Sequence, residues 1–259
     1  MKITIIGYGN LGYSLANALH KHNLLNAVAV KKITDNENLP FITNINSLSQ
    51  NSDLYIFATQ DQAVKQIIDS HKSIFKDKTL IHCSGSLPST IFSDVTKNYG
   101  VFYPLHSFVK GKQADFSEIP IFITASNNKT ENQLITLAEE LGSNYKIISD
   151  EEREYLHLSA VFAHNFTNHL LTISQFIAQQ HNIDFNDIIK LLKPYFEKIL
   201  QGMPPAKLQT GPAKRNDETI MEKHIKMLDD NKDWQNIYRF VSESIRKTYN
   251  RDNENKQEL

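Results

Sequence analysis

The sequence predicts an α/β protein with a doubly wound, mostly parallel sheet, followed by an all-helical region. In the first 150 residues, short β-branched runs alternate with amphipathic stretches, which is typical of parallel strands joined by helices. From Asp150 onward the strand-like runs stop and long apolar helical stretches replace them. We therefore expect a sheet domain at 1–150, a helical domain at 151–250 and a polar, frayed tail at 251–259.

Composition restricts the classes of protein to which this chain can belong. Of its 259 residues, 40% are hydrophobic and 22% are charged, which is ordinary for a soluble protein with a sizeable core. A formal net charge of −1 gives no reason to expect a nucleic acid or an anionic membrane as a partner. Apolar runs are too short for a membrane span, and the N-terminus lacks the pattern of a signal peptide. The single cysteine, Cys83, fits a reducing cytoplasm.

The first element is a predicted buried strand, Lys2–Ile6, that leads into a glycine-rich turn and an amphipathic helix. The turn consists of Gly7, Tyr8, Gly9, Asn10, Leu11 and Gly12. Strand, G-x-G-x-x-G turn and helix together form the dinucleotide-binding fingerprint of a Rossmann domain. Gly7 would make the tight turn, Gly9 would let the backbone approach a pyrophosphate, and Gly12 would let the helix pack closely. The alternative is an ordinary connection, but three of the nine glycines at this spacing favour cofactor binding.

The end of the second predicted strand, Ala27–Val30, selects between the two nicotinamide cofactors. An acidic residue about 20 positions past the glycines would bind a free ribose 2′-hydroxyl. This sequence has Lys31 and Lys32 there, and cations suit a 2′-phosphate, so we expect NADP rather than NAD. The alternative is a solvated lysine pair with Asp35 folding back to the ribose, which would allow NAD.

The rest of the sheet domain is predicted as alternating strands and helices. The expected strands are Phe41–Thr43, Asp53–Thr59, Lys78–His82, Gly100–Tyr103 and Ile119–Thr124, and the helices are Gln62–Phe75, one capped by Ser86, and Lys129–Leu141. Ligands bind beyond the carboxyl ends of such strands, so the segments Thr59–Asp61 and Cys83–Ser86, which include Gln60, should line one crevice with the glycine turn. Ser84 and Ser86 could hold an anionic or carbonyl group, or Ser86 could simply cap a helix.

His82 and Cys83 are adjacent on a strand and point to opposite faces, so they cannot form a nucleophilic pair.

The helical half carries the candidate catalytic residues. We expect one long helix at Tyr155–Gln180, apolar around most of its circumference, which is typical of a core or a subunit interface. By helical spacing His157, His164 and Asn168 share a face, with Asn165 at its edge. Polar groups buried there need partners, because an unpaired amide costs about 1–3 kcal/mol. The partner could be a substrate or a nicotinamide, and ordinary polar groups between helices are the alternative.

Three further helices are expected after this one. Phe185–Leu200 should kink or restart at Pro194, a third helix begins near Asp217, and a fourth carries Trp234. In the loop before the third helix, Arg215 could clamp a carboxylate or phosphate, or the loop could only pin the last two helices. No metal site is expected, because the spacings of His164 with His169 and of His20 with His22 do not place two imidazoles on one helical face.

Several motifs together resemble one family over nearly the whole chain. They are Gly7–Gly12, His82–Ser86, Tyr103–Phe108, His157–Asn168 and Thr210–Ala213 with Arg215, Asp217 and His224. This layout resembles the Rossmann-like NADP oxidoreductases whose helical C-terminal domain has no assigned function. It is more distantly similar to deazaflavin-dependent NADP oxidoreductases, pyrroline-5-carboxylate reductases and β-hydroxyacid dehydrogenases. The resemblance implies a nucleotide cleft and a helical domain that commonly forms homodimers, but it implies no substrate.

One departure concerns the β-hydroxyacid dehydrogenases, whose long helix carries a catalytic lysine four residues before an asparagine. Here His164 precedes Asn168, which argues against their alcohol-oxidation mechanism.

We therefore expect an NADP-dependent reductase of a small carbonyl or imine substrate, with its active site in the cleft between the two domains. Hydride transfer needs a fixed nicotinamide, a proton donor and a group that polarises the acceptor. His157 or His164 would donate the proton, Asn165 and Asn168 would orient the substrate, and Ser84 with Ser86 and Arg215 would anchor it. The alternatives are a non-catalytic NADP-binding sensor or scaffold and, less well supported, a methyltransferase, which would want an acidic residue where Lys31 and Lys32 stand.

Overall fold

The computed structural model describes residues 1–33, 38–48 and 52–254, and the side chains of 250–254 are excepted. The chain forms two compact units, Met1–Phe162 and Ala163–Leu259. The domain boundary after residue 150 stays a prediction. The division between Phe162 and Ala163 lies 12 residues later and leaves the helix that begins at Asp150 with the sheet.

The first unit is built on an eight-stranded sheet, as far as the chain is described. Its strands are β1 (Ile3–Ile6), β2 (Leu25–Ala29), β3 (Phe41–Ile42), β4 (Leu54–Phe57), β5 (Leu80–His82), β6 (Tyr99–Pro104), β7 (Ile121–Ala125) and β8 (Tyr145–Ile147). They are ordered β3-β2-β1-β4-β5-β6-β7-β8, and the neighbours from β3 through β6 pair in parallel. β7 runs antiparallel to β6 and parallel to β8. The predicted doubly wound, mostly parallel sheet is confirmed.

Helices cover both faces of this sheet: α1 (Asn10–Lys21) and α4 (Asn128–Glu140) on one face, and α2 (Asp61–Ser70) and α3 (Lys72–Phe75) on the other. The first unit also contains α5 (Asp150–Ala160). Successive strand residues alternate between two apolar clusters, because neighbouring side chains point to opposite faces. Ile5 belongs to the cluster that packs on Leu15 of α1, and Ile6 belongs to the cluster that packs on Val64 of α2. Burial on both faces explains why these strands read as continuous apolar runs.

Three elements of the first unit differ from the prediction. The single helix expected at Gln62–Phe75 is two helices, α2 and α3, because His71 between them has a non-helical backbone conformation. The helix expected to be capped by Ser86 is absent from the described structure at that point, and a short 3-10 turn at Ser89–Phe92 stands in its place. The reason is that Ser84 Oγ accepts the N–H groups of Ser86 and Leu87 in a local turn, at 3.2 and 3.0 Å, so the chain bends before a helix can start. The strand β8 was not predicted, because it is three residues long and exposed.

The second unit is all-helical over its described residues, as predicted. Its helices are α6 (Thr167–Gln180), α7 (Phe185–Leu200), α8 (Pro205–Leu208), α9 (Glu218–Met227) and α10 (Lys232–Glu254). Asp217 caps α9 by accepting the N–H of Ile220 at 3.2 Å, where a helix start was predicted. α7 continues through Pro194, so the helix does not restart there, and the alternative of a kink at Pro194 stays a prediction. α10 likewise extends to Glu254, four residues into the predicted polar tail, and residues 255–259 lie outside the described residues.

The single long helix predicted at Tyr155–Gln180 is instead three elements. α5 is followed by a π-helix at Val161–Phe166 and then by α6. A π-helix has more residues per turn than an α-helix, so the face shared by His157, His164 and Asn168 in a regular α-helix does not carry through. Across the described residues, every helix is too short or too polar to cross a bilayer.

Candidate functional site

The glycine turn between β1 and α1 has a tight bend at Gly7 and close packing at Gly12, as predicted for these two residues. Gly7 has a φ of +104°, and a Cβ there would lie 2.6 Å from Thr59 Cγ2. A Cβ at Gly12 would lie 2.4 Å from the Gly7 carbonyl oxygen, so a side chain would push α1 off the strand. A Cβ at Gly9 would meet no described atom within 4 Å. Gly7 and Gly12 are therefore needed for the backbone conformation and the packing of the turn, whereas Gly9 faces open space.

That open space adjoins the N-terminus of α1. Gly9 is the N-cap of this helix, it offers no side-chain oxygen, and the described first turn contains no acidic residue. The first backbone N–H groups of a helix have no partner within the helix, and the helix dipole favours negative charge beside them. The turn thus keeps the features of a phosphate-binding helix N-terminus.

A cavity of about 690 Å³ extends from this turn along the ends of β2 and β3. Gly7, Tyr8, Thr59, Lys31 and Lys32 all line it, together with Thr43, Asn44 and His71. The described lining includes two lysines and a histidine and contains no carboxylate. The other predicted cofactor residues do not line this cavity: Gly9, Asn10, Leu11, Gly12, Gln60 and Ser84. Asp35 lies outside the described residues.

A second group of polar residues lies at the carboxyl ends of β4 and β5. Ser84 Oγ donates to Asp61 Oδ2 at 2.8 Å, and Ser86 Oγ donates to the same oxygen at 3.2 Å. Both hydroxyl hydrogens therefore point to a carboxylate, which does not favour the predicted role of these serines in binding an anion. The arrangement instead presents Asp61 as an acceptor for hydroxyl or amide hydrogens.

A tyrosine and a histidine complete this end of the sheet. The Tyr103 hydroxyl, at the end of β6, lies 3.0 Å from Nδ1 of His157 on α5. A Cβ at Gly85 would lie 2.6 Å from that nitrogen, so the Ser84–Ser86 loop packs directly on the imidazole. Burial raises the pKa of Tyr103, and the positive charge of Arg153 opposes that rise only in part. Tyr103 therefore stays a neutral phenol that can exchange a hydrogen bond with His157.

Arg153 holds α5 in position behind this pair. Its guanidinium is fully buried, pairs with the Asp150 carboxylate, and donates to the Leu87 carbonyl oxygen and to Thr124 Oγ1. Asp150 also accepts the N–H and the hydroxyl of Ser89, at 3.0 and 2.8 Å. These contacts tie the first turn of α5 to the loop after Ser86. Since His157 lies one turn beyond Arg153, they fix where its imidazole stands.

His82 and Cys83 do not offer nucleophilic chemistry. Cys83 belongs to the apolar cluster on the α1 face, whereas the His82 ring lies 5.8 Å from Phe92 of the other cluster, so the two side chains point apart as predicted. Burial raises the pKa of the Cys83 thiol to about 12. Burial, together with the charge of Arg153, lowers the pKa of His82 to about 4. Both side chains are therefore neutral near pH 7.

The candidate residues of the second unit are placed differently from the prediction. His164, Asn165 and Asn168 are exposed, as is Arg215, so the expectation that the polar groups of the long helix are buried is wrong. His164 and Asn165 lie within the π-helix, an element often found at functional sites. In the described parts of the chain, no three potential metal ligands come together.

Comparison with known proteins places the chain in a family. Residues 119–245 match a family described as a domain of unknown function (DUF2520). A solved structure from Bacteroides fragilis, named as a "putative NADP oxidoreductase", is 30% identical, with a TM-score of 0.83 over 95% of this chain and 98% of that chain. The chain belongs to this family of Rossmann-like NADP oxidoreductases with a helical C-terminal region.

Other solved structures share the fold of these Rossmann-like oxidoreductases at lower identity. A protein from Thermotoga maritima is 20% identical, with a TM-score of 0.68 over 97% of this chain and 99% of that chain. An imine reductase from Myxococcus stipitatus, crystallised with NADP⁺, is 14% identical, with a TM-score of 0.68 over 97% of this chain and 93% of that chain. A comparison with curated proteins found no match.

The sequence did not single out Arg153 as a site residue, and it gave no chemical role to Asp61, Gly85 or Tyr103. Asp61 and Gly85 were expected only to line the crevice, and Tyr103 was noted only in a strand and in the family motif Tyr103–Phe108. The signal that could have found Tyr103 is a polar aromatic residue at the carboxyl end of a central strand, where ligands bind in open sheets.

Proposed function

We propose that this chain is an NADP-dependent oxidoreductase that reduces a carbonyl or imine group of a small molecule. The observation that carries the proposal is the glycine turn, whose open Gly9 and uncapped helix N-terminus adjoin the cavity containing Lys31 and Lys32. The Bacteroides fragilis relative and the NADP⁺ complex of the imine reductase, which shares the fold, support this assignment.

The residues present fit each part of NADP. The N–H groups at the start of α1 would hold the pyrophosphate, and the two lysines would hold the 2′-phosphate of the adenosine ribose. Asp61 would accept hydrogens from a ribose hydroxyl or from the carboxamide of the nicotinamide, since its carboxylate is already fixed by Ser84 and Ser86. When bound, the reduced cofactor supplies a hydride to the acceptor carbon.

His157 is the proton donor in this proposal. In its protonated form, Nδ1–H donates to the Tyr103 oxygen, and Nε2–H is left for the oxygen or nitrogen of the substrate. Giving up that proton leaves a neutral imidazole that is still hydrogen-bonded to Tyr103, so the ring keeps its orientation. His164, Asn165, Asn168 and Arg215 stay predicted substrate contacts, and their exposure leaves them accessible.

The test is oxidation of NADPH, followed by absorbance, with a panel of small ketones, cyclic imines and oxo-acids. We expect turnover of at least one class, and in His157→Asn a loss of at least about 100-fold in kcat with the NADPH dissociation constant unchanged. His181→Asn, at an exposed site of the second unit, is the matched control. Tight NADPH binding with no turnover of any compound would contradict the reductase and favour the NADP-binding sensor.

The lysine pair sets the cofactor preference in this proposal. In Lys31→Ala/Lys32→Ala we expect the NADPH dissociation constant to rise about 10- to 100-fold, or about 1.4–2.8 kcal/mol, because both charge contacts to the 2′-phosphate are lost. The NADH dissociation constant should change less than threefold, since NADH lacks the 2′-phosphate. Calorimetric titration with both cofactors measures this. An equal rise of the NADPH and NADH dissociation constants would contradict the proposed contact of the lysines with the 2′-phosphate.

We also propose that the chain forms a homodimer through its helical unit. Three large apolar side chains are strongly exposed there: Leu191 at 73% and Leu200 at 86% on α7, and Phe240 at 77% on α10. Exposed apolar side chains grouped on one unit are typical of an interface between subunits.

A further inference from the structure

The helical unit contains a cavity of its own, separate from the cavity at the glycine turn. Its volume is about 370 Å³, within the range of small-molecule sites. α6, α9 and α10 form three walls, and the loop Thr210–Ala213 forms the fourth. All of these residues belong to the unit Ala163–Leu259, so the cavity is complete without reference to the sheet.

Most of the cavity wall is apolar. Trp234 stacks on Phe176, with the ring centroids 6.3 Å apart and the planes 6° from parallel. Ile173, Ile237 and Val241 contribute further apolar surface. Such a wall favours a compact apolar ligand, because every contact removes apolar surface from water.

One row of polar side chains crosses this apolar wall. Ser242 hydrogen-bonds to the Tyr238 side chain, and the Tyr238 hydroxyl lies 2.9 Å from Nδ1 of His224. Because Ser242 can donate to the phenol oxygen, the phenol hydrogen is free to go to Nδ1. A neutral imidazole that accepts at Nδ1 carries its hydrogen on Nε2. Burial raises the pKa of Tyr238, which keeps it a phenol.

The loop Thr210–Ala213 leaves room beside this row. Gly211 has a φ of +103°, a conformation that residues with a side chain rarely adopt. A Cβ at Gly211 would meet no described atom within 4 Å. The loop therefore presents bare backbone to the cavity, as Gly9 does at the cofactor turn.

We propose that this cavity binds a small, compact apolar molecule that carries one hydrogen-bond acceptor, such as a carbonyl oxygen, which accepts from His224 Nε2–H. The apolar body would pack on Trp234 and the isoleucines, and the single acceptor would satisfy the one donor that the polar row leaves. This inference does not depend on the proposed reductase activity, because it uses no residue of the glycine turn and needs no cofactor.

The experiment uses the full chain without NADP, and the probe is cyclohexyl methyl ketone. Trp234 is the only tryptophan of the 259 residues and lines the cavity, so its fluorescence reports on this site alone. We expect a saturable change in emission with half-saturation below about 1 mM. The same titration of N-acetyltryptophanamide corrects for collisional quenching.

Three variants locate the binding. Tyr238→Phe keeps the shape but breaks the polar row, and we expect the dissociation constant to rise about three- to tenfold. Ile237→Phe fills the cavity and should abolish the saturable signal. Asn236→Ala, at an exposed position on α10 that does not line the cavity, should leave the titration unchanged. Circular dichroism during thermal unfolding verifies that each variant is folded.

Two outcomes would overturn the proposal. The first is a wild-type signal that does not saturate beyond the collisional quenching of the free fluorophore. The second is a Trp234 emission that changes with protein concentration but not with ketone, which would mean that a second copy of the chain covers the cavity. Neither outcome concerns NADPH turnover, so the reductase proposal is tested independently by its own assay.

Discussion

At the scale of single residues, one glycine of the turn is needed for packing, whereas another leaves space for a ligand. Gly9 and Gly12 are three positions apart in one turn, yet a methyl group at Gly9 would meet open space, whereas at Gly12 it would collide with the backbone of Gly7. Gly9 also has an ordinary φ of −76°, so alanine fits its backbone conformation. The two positions therefore allow stability and cofactor binding to be tested independently.

We expect Gly9→Ala to keep the thermal unfolding temperature within about 3 °C of wild type, because no described atom occupies the space of the new methyl group. Its NADPH dissociation constant should rise at least about tenfold, since the methyl group would stand where the pyrophosphate approaches the backbone. Gly12→Ala should lower the unfolding temperature clearly. Calorimetry and scanning fluorimetry measure both quantities, and unchanged NADPH affinity in Gly9→Ala would contradict the assignment of the turn.

The residues differ in how far the sequence alone could reveal them. The glycine turn and the lysines after β2 were predictable, because their role depends on neighbours in sequence. The contact of Tyr103 with His157 joins positions 54 residues apart, and that of Ser86 with Asp61 joins positions 25 apart. Such contacts between distant positions cannot be predicted from sequence patterns until the order of the strands is known.

At the scale of elements, one buried ion pair anchors the helix that carries the proposed proton donor. The Arg153 side chain is fully buried, whereas Asp150 is 29% exposed. Burial opposes ionisation of Asp150, but the hydrogen bonds from Arg153 and Ser89 together outweigh it and hold the pKa of the carboxyl below its usual range. The beginning of α5 is also closed by a capping box between Ser149 and Glu152. Several independent contacts thus set the start of this helix.

We expect Arg153→Met to lower the free energy of unfolding by about 3–5 kcal/mol, because it leaves a partly buried carboxylate and several acceptors without their donor. Lys190→Met, which removes the exposed pair with Asp187, is the matched control and should have little effect. Urea unfolding of both variants gives the comparison. If Arg153→Met lowers the free energy of unfolding no more than Lys190→Met does, the buried pair does not stabilise α5.

Elements were predicted best where they are long or buried. The strands β1 and β4 and the helix α9 were found because apolar runs or caps mark them. The strand β8 is too short to show alternation, and the π-helix at Val161–Phe166 has no distinct composition. The helix expected at Ser86 failed because a serine two residues earlier competes for the same backbone groups.

At the scale of the whole molecule, the stability of the fold should depend on pH through His82. This imidazole is fully buried on the sheet, and its pKa is about 4 in the folded chain against about 6.5 for an ordinary histidine. Between these values the unfolded chain binds the proton more readily than the folded chain does. Stability is therefore fully present above about pH 6.5 and is lost as the pH falls toward 4.

The expected slope is a loss of about 1.4 kcal/mol per pH unit from this group between pH 6 and pH 4.5. Urea unfolding at several pH values measures it. In His82→Gln the slope over this window should be smaller by about that amount, whatever the stability of the variant at pH 7. An identical slope in the two proteins would show that another group causes the acid sensitivity.

The proposed homodimer is also a property of the whole molecule. We expect wild-type protein to sediment as a dimer at micromolar concentration, and Phe196→Glu/Leu200→Glu to sediment as a monomer, because these exposed side chains share one face of α7 and charge on an apolar interface opposes association. Lys198→Glu, at an exposed position on the opposite face of the same helix, is the control for the added negative charge. A monomeric wild type, or a dimeric double variant, would exclude this interface.

The last strand of the described sheet has a consequence for how the protein behaves at high concentration. β8 lies at the end of the strand order, and Tyr145 and Ile147 are exposed on it, so its outer backbone groups could template a strand from another molecule. Its length of three residues and the charge of Lys146 in its middle both work against such pairing. Both features oppose fibrillar aggregation through this edge of the sheet. A substitution that lengthens β8 or removes the charge of Lys146 would therefore favour aggregation.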